Sequence, residues 1–329
     1  MSNTLSRTVV VTGGAGYIGA PLCLNLAGTG YEVRALDVLL HGQQEIAEQL
    51  ERAGVEVIRA DVRDAAARER ALRDASAVVH LAAIVGDPAC ARDPQLSRAV
   101  NVEGSLALAA DAERMGVERF VMASTCSNYG RMLDPATPID EQGVLAPVSL
   151  YAEQKVEIER SLLDRTNGAT QPTCLRFATV YGVAPRMRFD LTVNEFACDL
   201  WADRRLEVFG EQFWRPYVHV RDAGRAIQTV LEAPSRLVAG AVFNVGRSGE
   251  NYRKLDLVQE IRKLTDRGEV TYVHRDEDPR DYKVSFDKIR NVLGFETQMT
   301  VPDGIAELLD ALEQGRFGDP FDARYRNIP

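Results

Sequence analysis

Cysteine is scarce and scattered. The 329 residues hold five, Cys23, Cys90, Cys126, Cys174 and Cys198, and no two form a C-x-x-C pair. An odd number at such spacing excludes a disulfide framework and a zinc ribbon, predicts no metal site, and points to a reducing compartment. Lys and Arg form no block, and the net charge is −9 with a pI near 5.2. Nucleic acid and anionic membrane surfaces are therefore excluded as partners. No apolar run approaches the ~20 residues that span a bilayer. The opening residues carry no apolar signal region, so a cytoplasmic protein is expected. Internal repeats and low-complexity linkers are also lacking.

What is present alternates. Thr8–Val11, Glu32–Leu36, Val55–Ala60, Ala77–Leu81, Arg119–Ala123 and Thr173–Phe177 read as strands. Between them lie helical segments from Gly19 to Gly28 or Gly30, Glu45–Ala53, Asp64–Asp74, Gln95–Met115 and Ser149–Thr166, with a proline-bearing loop over 131–148. This order predicts an α/β, Rossmann-type, doubly wound parallel sheet. From about Val183 the pattern becomes mixed. The expectation is one domain over 1–182, with parts of 210–250 returning to it, and a smaller mixed α/β lobe over 183–329. Ligands of open α/β sheets sit at the carboxyl ends of strands, so residues just after each strand are candidates.

The first strand breaks into Thr12-Gly13-Gly14-Ala15-Gly16-Tyr17-Ile18-Gly19. Gly13 allows a tight turn, Gly16 lets backbone approach a pyrophosphate, and Gly19 lets the following helix pack close. The helix start then faces phosphate with its N–H groups. Asp37 closes the second strand, where a carboxylate accepts from an adenosine ribose and repels a 2′-phosphate. NAD is thereby favoured over NADP. Asp61-Val62 after the third strand could meet the adenine edge. Tyr151 and Lys155 stand at i, i+4 on one helix face. A phenol with an ordinary pKa of about 10 becomes a useful base near neutrality only if cations favour the phenolate. The Ser124-Thr125 turn after the fifth strand supplies a hydroxyl to share the substrate's hydrogen bond.

These motifs, with His80-Leu81-Ala82-Ala83, Asn101, Tyr129-Gly130, Arg176, Tyr181-Gly182 and Arg215-Pro216-Tyr217-Val218-His219-Val220-Arg221-Asp222, resemble the extended short-chain dehydrogenase/reductases, in their nucleotide-sugar epimerase/dehydratase group. The match runs in order over nearly the whole chain, and the G-x-x-G-x-x-G spacing is the form this group uses. The resemblance implies that Tyr151 transfers the proton, that Lys155 lowers its pKa and binds the nicotinamide ribose, and that Thr125 completes a triad with Ser124 beside it. It implies NAD held by Gly13, Gly16, Tyr17, Ile18, Gly19, Asp37, Asp61 and Val62. Leu81, Ala82 and Ala83 would line the cofactor, and Asn101 would support it. On the substrate side it implies Asn194 and Arg215 at the diphosphate, Val208 and Phe209 on a base-contacting strand, and Arg275 and Asp278 as a late R-x-x-D pair, with Arg280 and Asp281 as the competing alignment.

Departures narrow the reaction. The 4,6-dehydratases resemble S-T-D-E-V-Y-G at the turn, whereas this chain has Cys126 and Ser127. Decarboxylases tend to keep a Glu where Ser127 stands, and 4-epimerases carry small residues there. Cys126 could also act as an acid/base, as a cysteine does in GDP-sugar 3,5-epimerases, or simply pack. The expectation is an NAD-dependent nucleotide-sugar epimerase acting at C4 through a 4-keto intermediate on a UDP-, dTDP- or GDP-linked sugar. The alternatives are a 4-keto-deoxysugar reductase, then a dehydratase, a decarboxylase or an idle NAD-binding protein. A homodimer through helices starting near Gln95 and Ser149 is implied by the resemblance.

Overall fold

The computed structural model describes residues 8–132, 134, 137–165, 168–278 and 280–327. Thr166, the outer end of one expected helix, lies outside the described residues. The strands are β1 (Thr8–Thr12), β2 (Glu32–Asp37), β3 (Glu56–Arg59), β4 (Ala77–His80), β5 (Arg119–Thr125), β6 (Gln171–Phe177), β7 (Thr179–Tyr181), β8 (Arg205–Phe209), β9 (Trp214–His219), β10 (Ala241–Val245), β11 (Asn251–Arg253) and β12 (Glu269–Val273). The chain divides into two compact units. The first holds the described residues of Met1–Thr125, Ser149–Arg176 and Gly224–Phe243; the second holds those of Cys126–Val148, Phe177–Ala223 and Asn244–Pro329.

A seven-stranded sheet of order β10-β6-β5-β4-β1-β2-β3 dominates the first unit. β1 pairs parallel with both β2 and β4, at Val10↔Arg34 and Val10↔Val78. Every residue of β1 is buried, as an apolar strand covered on both faces must be. Val10, Leu36, Ile58, Val78, Phe120 and Met122 join one core beneath the helices. Strand order reverses between β1 and β4, so the sheet's ligand crevice is expected at their carboxyl ends.

The expected helix 95–115 is present as one continuous helical run with a π-helical turn inside it. Pro94–Arg98 is followed by one π-helical turn over Ala99–Gly104 and then by Ser105–Arg114. A separate short helix, Asp87–Arg92, precedes them. Cys126–Val148 and Phe177–Gly182, placed within 1–182 by the pattern of strands, cluster with the second unit. Gly224–Phe243 clusters with the first. In the second unit β7, β9 and β11 form one sheet, and β12 pairs with β8 in another.

Candidate active site

The glycine turn is built by close approach. Gly13 has φ +69°, and a Cβ there would stand 2.9 Å from the Ala82 nitrogen. A Cβ on Gly19 would overlap the Gly13 carbonyl, so the helix Gly19–Gly28 can begin there only without a side chain. Gly13, Gly16 and Ile18 stay partly exposed, while Tyr17 and Gly19 are buried. At the end of β2 the Asp37 carboxylate accepts from the backbone N–H of Ala15 at 3.0 Å and of Leu39 at 2.8 Å. It thus ties β2 to the turn, beyond any part it takes with a ribose.

Lys155 is 3 % exposed. Its Nζ donates to the Ala123 carbonyl at 2.7 Å and sits 5.8 Å from the centre of the partly exposed Tyr151 ring. Burial pulls the ammonium down to about 8, because a low-dielectric interior disfavours charge. Beneath it His80 accepts or donates at both ring nitrogens, to Thr12 Oγ1 at 2.7 Å and Ser105 Oγ at 2.6 Å. Burial, with the Lys155 charge adding to it, pushes His80 down to about 3, so this histidine stays neutral.

The two hydroxyls after β5 part company. Ser124 is buried and donates to Glu159 Oε2 at 2.8 Å, and Glu159 is ion-paired with the buried Arg176. Thr125 is partly exposed. Alternation along the strand explains the split, and Ser124's side chain faces the buried Glu159–Arg176 pair. Leu81, Ala82 and Ala83 form a partly exposed strip after β4. Asn101, on the π turn, holds the next residue: its Oδ1 accepts from Ile84 N–H at 2.8 Å and its Nδ2 donates to Ile84 O at 3.0 Å. Asp61 is paired with Arg63 at 2.6 Å, which holds its carboxyl below the usual range. Val62 is buried.

The second unit gathers part of the expected substrate set. Arg215 Nη2 donates to Asp278 Oδ2 at 2.7 Å, both side chains being largely buried. The Arg215 guanidinium lies 5.4 Å from the Tyr282 ring centre, and Arg275 lies 5.4 Å from that of Phe209. Tyr282, missed by sequence reasoning, stands 3.3 Å from Ser127 Oγ through its hydroxyl. Lys254, also missed, donates to the Phe209 carbonyl at 2.6 Å. Of the competing late residues, Asp281 accepts from the Trp214 N–H at 2.8 Å. Two expected residues turn elsewhere. Val208 is wholly buried while Phe209 is 44 % exposed, since neighbours on a strand face opposite ways. The Asn194 carboxamide, fully buried, accepts from Gly182 N–H and donates to Arg188 O, both at 2.9 Å, which makes it a clamp on the segment after β7. Cys126 is 1 % exposed, in keeping with a packed side chain.

Residues 9–246 match the NAD dependent epimerase/dehydratase family. The chain belongs to that family. A UDP-glucose 4-epimerase of Rhizobium meliloti (strain 1021) is 30 % identical, over 89 % of this chain and 93 % of its own. The structure of a Thermotoga maritima UDP-glucose 4-epimerase with UDP-glucose superposes with TM-score 0.84 at 26 % identity, covering 94 % of this chain and 99 % of that one. A Thermus thermophilus UDP-glucose 4-epimerase in complex with NAD gives 0.82 at 28 % identity, over 93 % and 99 %. Relatives named UDP-glucuronic acid decarboxylase (Arabidopsis thaliana) and dTDP-glucose 4,6-dehydratase (Streptomyces niveus) match as well. The residues of the first unit fit the family's cofactor: a partly exposed glycine turn for the pyrophosphate, a strand-end carboxylate at Asp37, and a buried ammonium beside a phenol. Among the described residues no cluster of His, Cys, Asp and Glu could hold a metal, and no helix is long and apolar enough to cross a membrane.

Proposed function

We propose that the protein is an NAD-dependent nucleotide-sugar epimerase acting at C4. The observation that carries this reading is the Tyr151–Lys155 pair, a partly exposed phenol with a buried ammonium 5.8 Å from its ring centre, in the same unit as the glycine turn. Tyr151 takes the proton of the sugar hydroxyl, and Thr125 shares that hydrogen bond from the end of β5. Lys155 favours the phenolate by charge. Bound NAD supplies a hydride acceptor that returns what it takes. Arg215 suits the substrate's diphosphate, because a guanidinium fork matches phosphate oxygens; Asp278 orients that fork, and Phe209 with Arg275 offers a surface for the base. Cys126 and Ser127 stand where a dehydratase keeps an acidic pair, which favours epimerisation over loss of water. UDP-linked sugars are the first substrates to try, because the similar proteins include UDP-glucose 4-epimerases. A cytoplasmic homodimer completes the reading; light scattering coupled to gel filtration tests the dimer.

Incubation of the purified protein with UDP-glucose or UDP-galactose, and no added cofactor, tests the reaction. Interconversion of the C4 epimers without net change in NADH absorbance is expected. A strict requirement for added NADH, with a reduced product, would establish the 4-ketoreductase alternative instead.

A further inference from the structure

Gln154 lies between Tyr151 and Lys155 in the helix Leu150–Leu163 and is 2 % exposed. Its Oε1 accepts two hydrogen bonds, from Ser97 Oγ at 2.8 Å and from Asn101 Nδ2 at 2.9 Å. The direction of this amide is determined. Asn101 is oriented by the two backbone groups of Ile84, so its Nδ2 can only donate toward Gln154, and Gln154 must turn its oxygen there. Its Nε2 is left in buried space, where it meets no acceptor among the described residues. A buried amide donor without a partner is a standing cost that an apolar side chain of similar size would avoid. The oxygen is therefore what the position requires.

That oxygen joins two parts of the candidate site. On one side is the helix carrying Tyr151 and Lys155. On the other are Ser97 and the π turn, whose Asn101 holds Ile84 at the end of the Leu81–Ala83 strip. We propose that Gln154 is a positioning residue, whose Oε1 holds the segment after β4 against the Tyr151–Lys155 helix and so sets cofactor affinity and the environment of the lysine. This rests on the proposed roles of Tyr151 and Lys155.

The test compares full-length wild type with Gln154→Met and Gln154→Glu, by calorimetric titration with NAD and by the pH profile of kcat/KM. Met fills the space but offers no acceptor. It is expected to weaken NAD about five- to tenfold. It should also move the alkaline limb upward, because a loosened contact admits water to Lys155. Glu keeps an acceptor for Ser97 and Asn101 and should restore NAD affinity to within about twofold of wild type. Wild-type affinity and an unchanged profile for Gln154→Met would overturn the proposal, whatever happens to its melting temperature. So would a Glu variant no better than Met. If Gln154→Met does not fold, Ser97→Ala removes one donor from the same oxygen and should weaken NAD about threefold; unchanged binding there overturns the proposal equally. Tyr151→Phe separates the two levels: full turnover in that variant removes the role given to Tyr151, while NAD affinity in the Gln154 variants still judges the positioning role.

Discussion

Lys155 donates to the carbonyl of Ala123 across 2.7 Å, fastening the helix that carries Tyr151 to the strand that ends in Thr125. The bond keeps an ammonium in a place where burial opposes its charge. Holding it charged there, with its pKa drawn from an ordinary 10.5 to about 8, costs the folded state about 3 kcal/mol. The penalty is complete below pH 8. As pH rises from 8 toward 10.5, the unfolded chain binds more protons than the folded one, so this group's contribution to stability improves. Lys155→Met should lose at least ~10²-fold in turnover, yet unfold in urea no more easily than wild type at pH 7. The gain between pH 8 and 10.5 should vanish in the variant. A clear loss of stability at pH 7 would contradict the account.

Two glycines of one helix should answer oppositely to the same change. Gly19→Ala drives a methyl into the Gly13 carbonyl, whereas a Cβ on Gly28 meets nothing within 4 Å. Gly28→Ala should leave NAD binding intact and stabilise by up to ~1 kcal/mol, through helix propensity alone. Gly19→Ala should destabilise by several times that amount, on the order of 3 kcal/mol, and abolish NAD binding. Thermal melts and NAD titration of the two variants are the check.

Much of the fold is legible in the sequence, and what is not legible has physical causes. The β-branched run at Thr8, the three glycines and the i, i+4 spacing of Tyr151 and Lys155 are local patterns with local consequences. Ser124 and Thr125 are neighbours of similar chemistry; alternation sends them to opposite faces, and the buried partner of Ser124, Glu159, lies 35 residues away in sequence. The π turn at Ala99–Gly104 leaves the apolar spacing of a plain helix almost unchanged, so periodicity does not reveal it. Gln154 is invisible for a related reason: its partners, Ser97 and Asn101, lie more than fifty residues away. Which of Val208 and Phe209 faces outward is not legible either, since the faces of β8 are assigned only once it pairs with β12.

Asp37 carries two duties, and one substitution should expose both. Asp37→Asn preserves shape but turns an N–H donor toward one of the two backbone N–H groups, of Ala15 and Leu39, that the carboxylate now satisfies. A loss of about 2 kcal/mol in unfolding free energy follows from one unmet buried donor. NAD should bind at least ~10-fold more weakly, since a charge-assisted ribose contact is lost. NADP should lose less, or gain, because the repulsion of its 2′-phosphate falls with the charge. Equal losses for the two cofactors would show that Asp37 serves only the turn.

Arg215 and Asp278 can be separated by which kinetic parameter moves. Their 2.7 Å contact leaves the guanidinium oriented but partly neutralised, and the same arginine holds the Asp278 carboxyl below its ordinary range. Asp278 thus stabilises the fold above pH 3.8, and that contribution is lost as pH falls through its lowered value. Arg215→Leu removes a phosphate-binding fork and should raise KM for the UDP-sugar at least ~10-fold, with kcat changed much less, the signature of lost ground-state binding. Asp278→Asn should do the reverse. It leaves Arg215 with its full charge, so KM should fall a few-fold, and more so at low salt. The same variant should lose about 3 kcal/mol of stability at neutral pH, because the largely buried Arg215 charge is left without its carboxylate, and its acid limb should flatten. A rise in KM for Asp278→Asn would instead mark that carboxylate as a direct contact of the nucleotide.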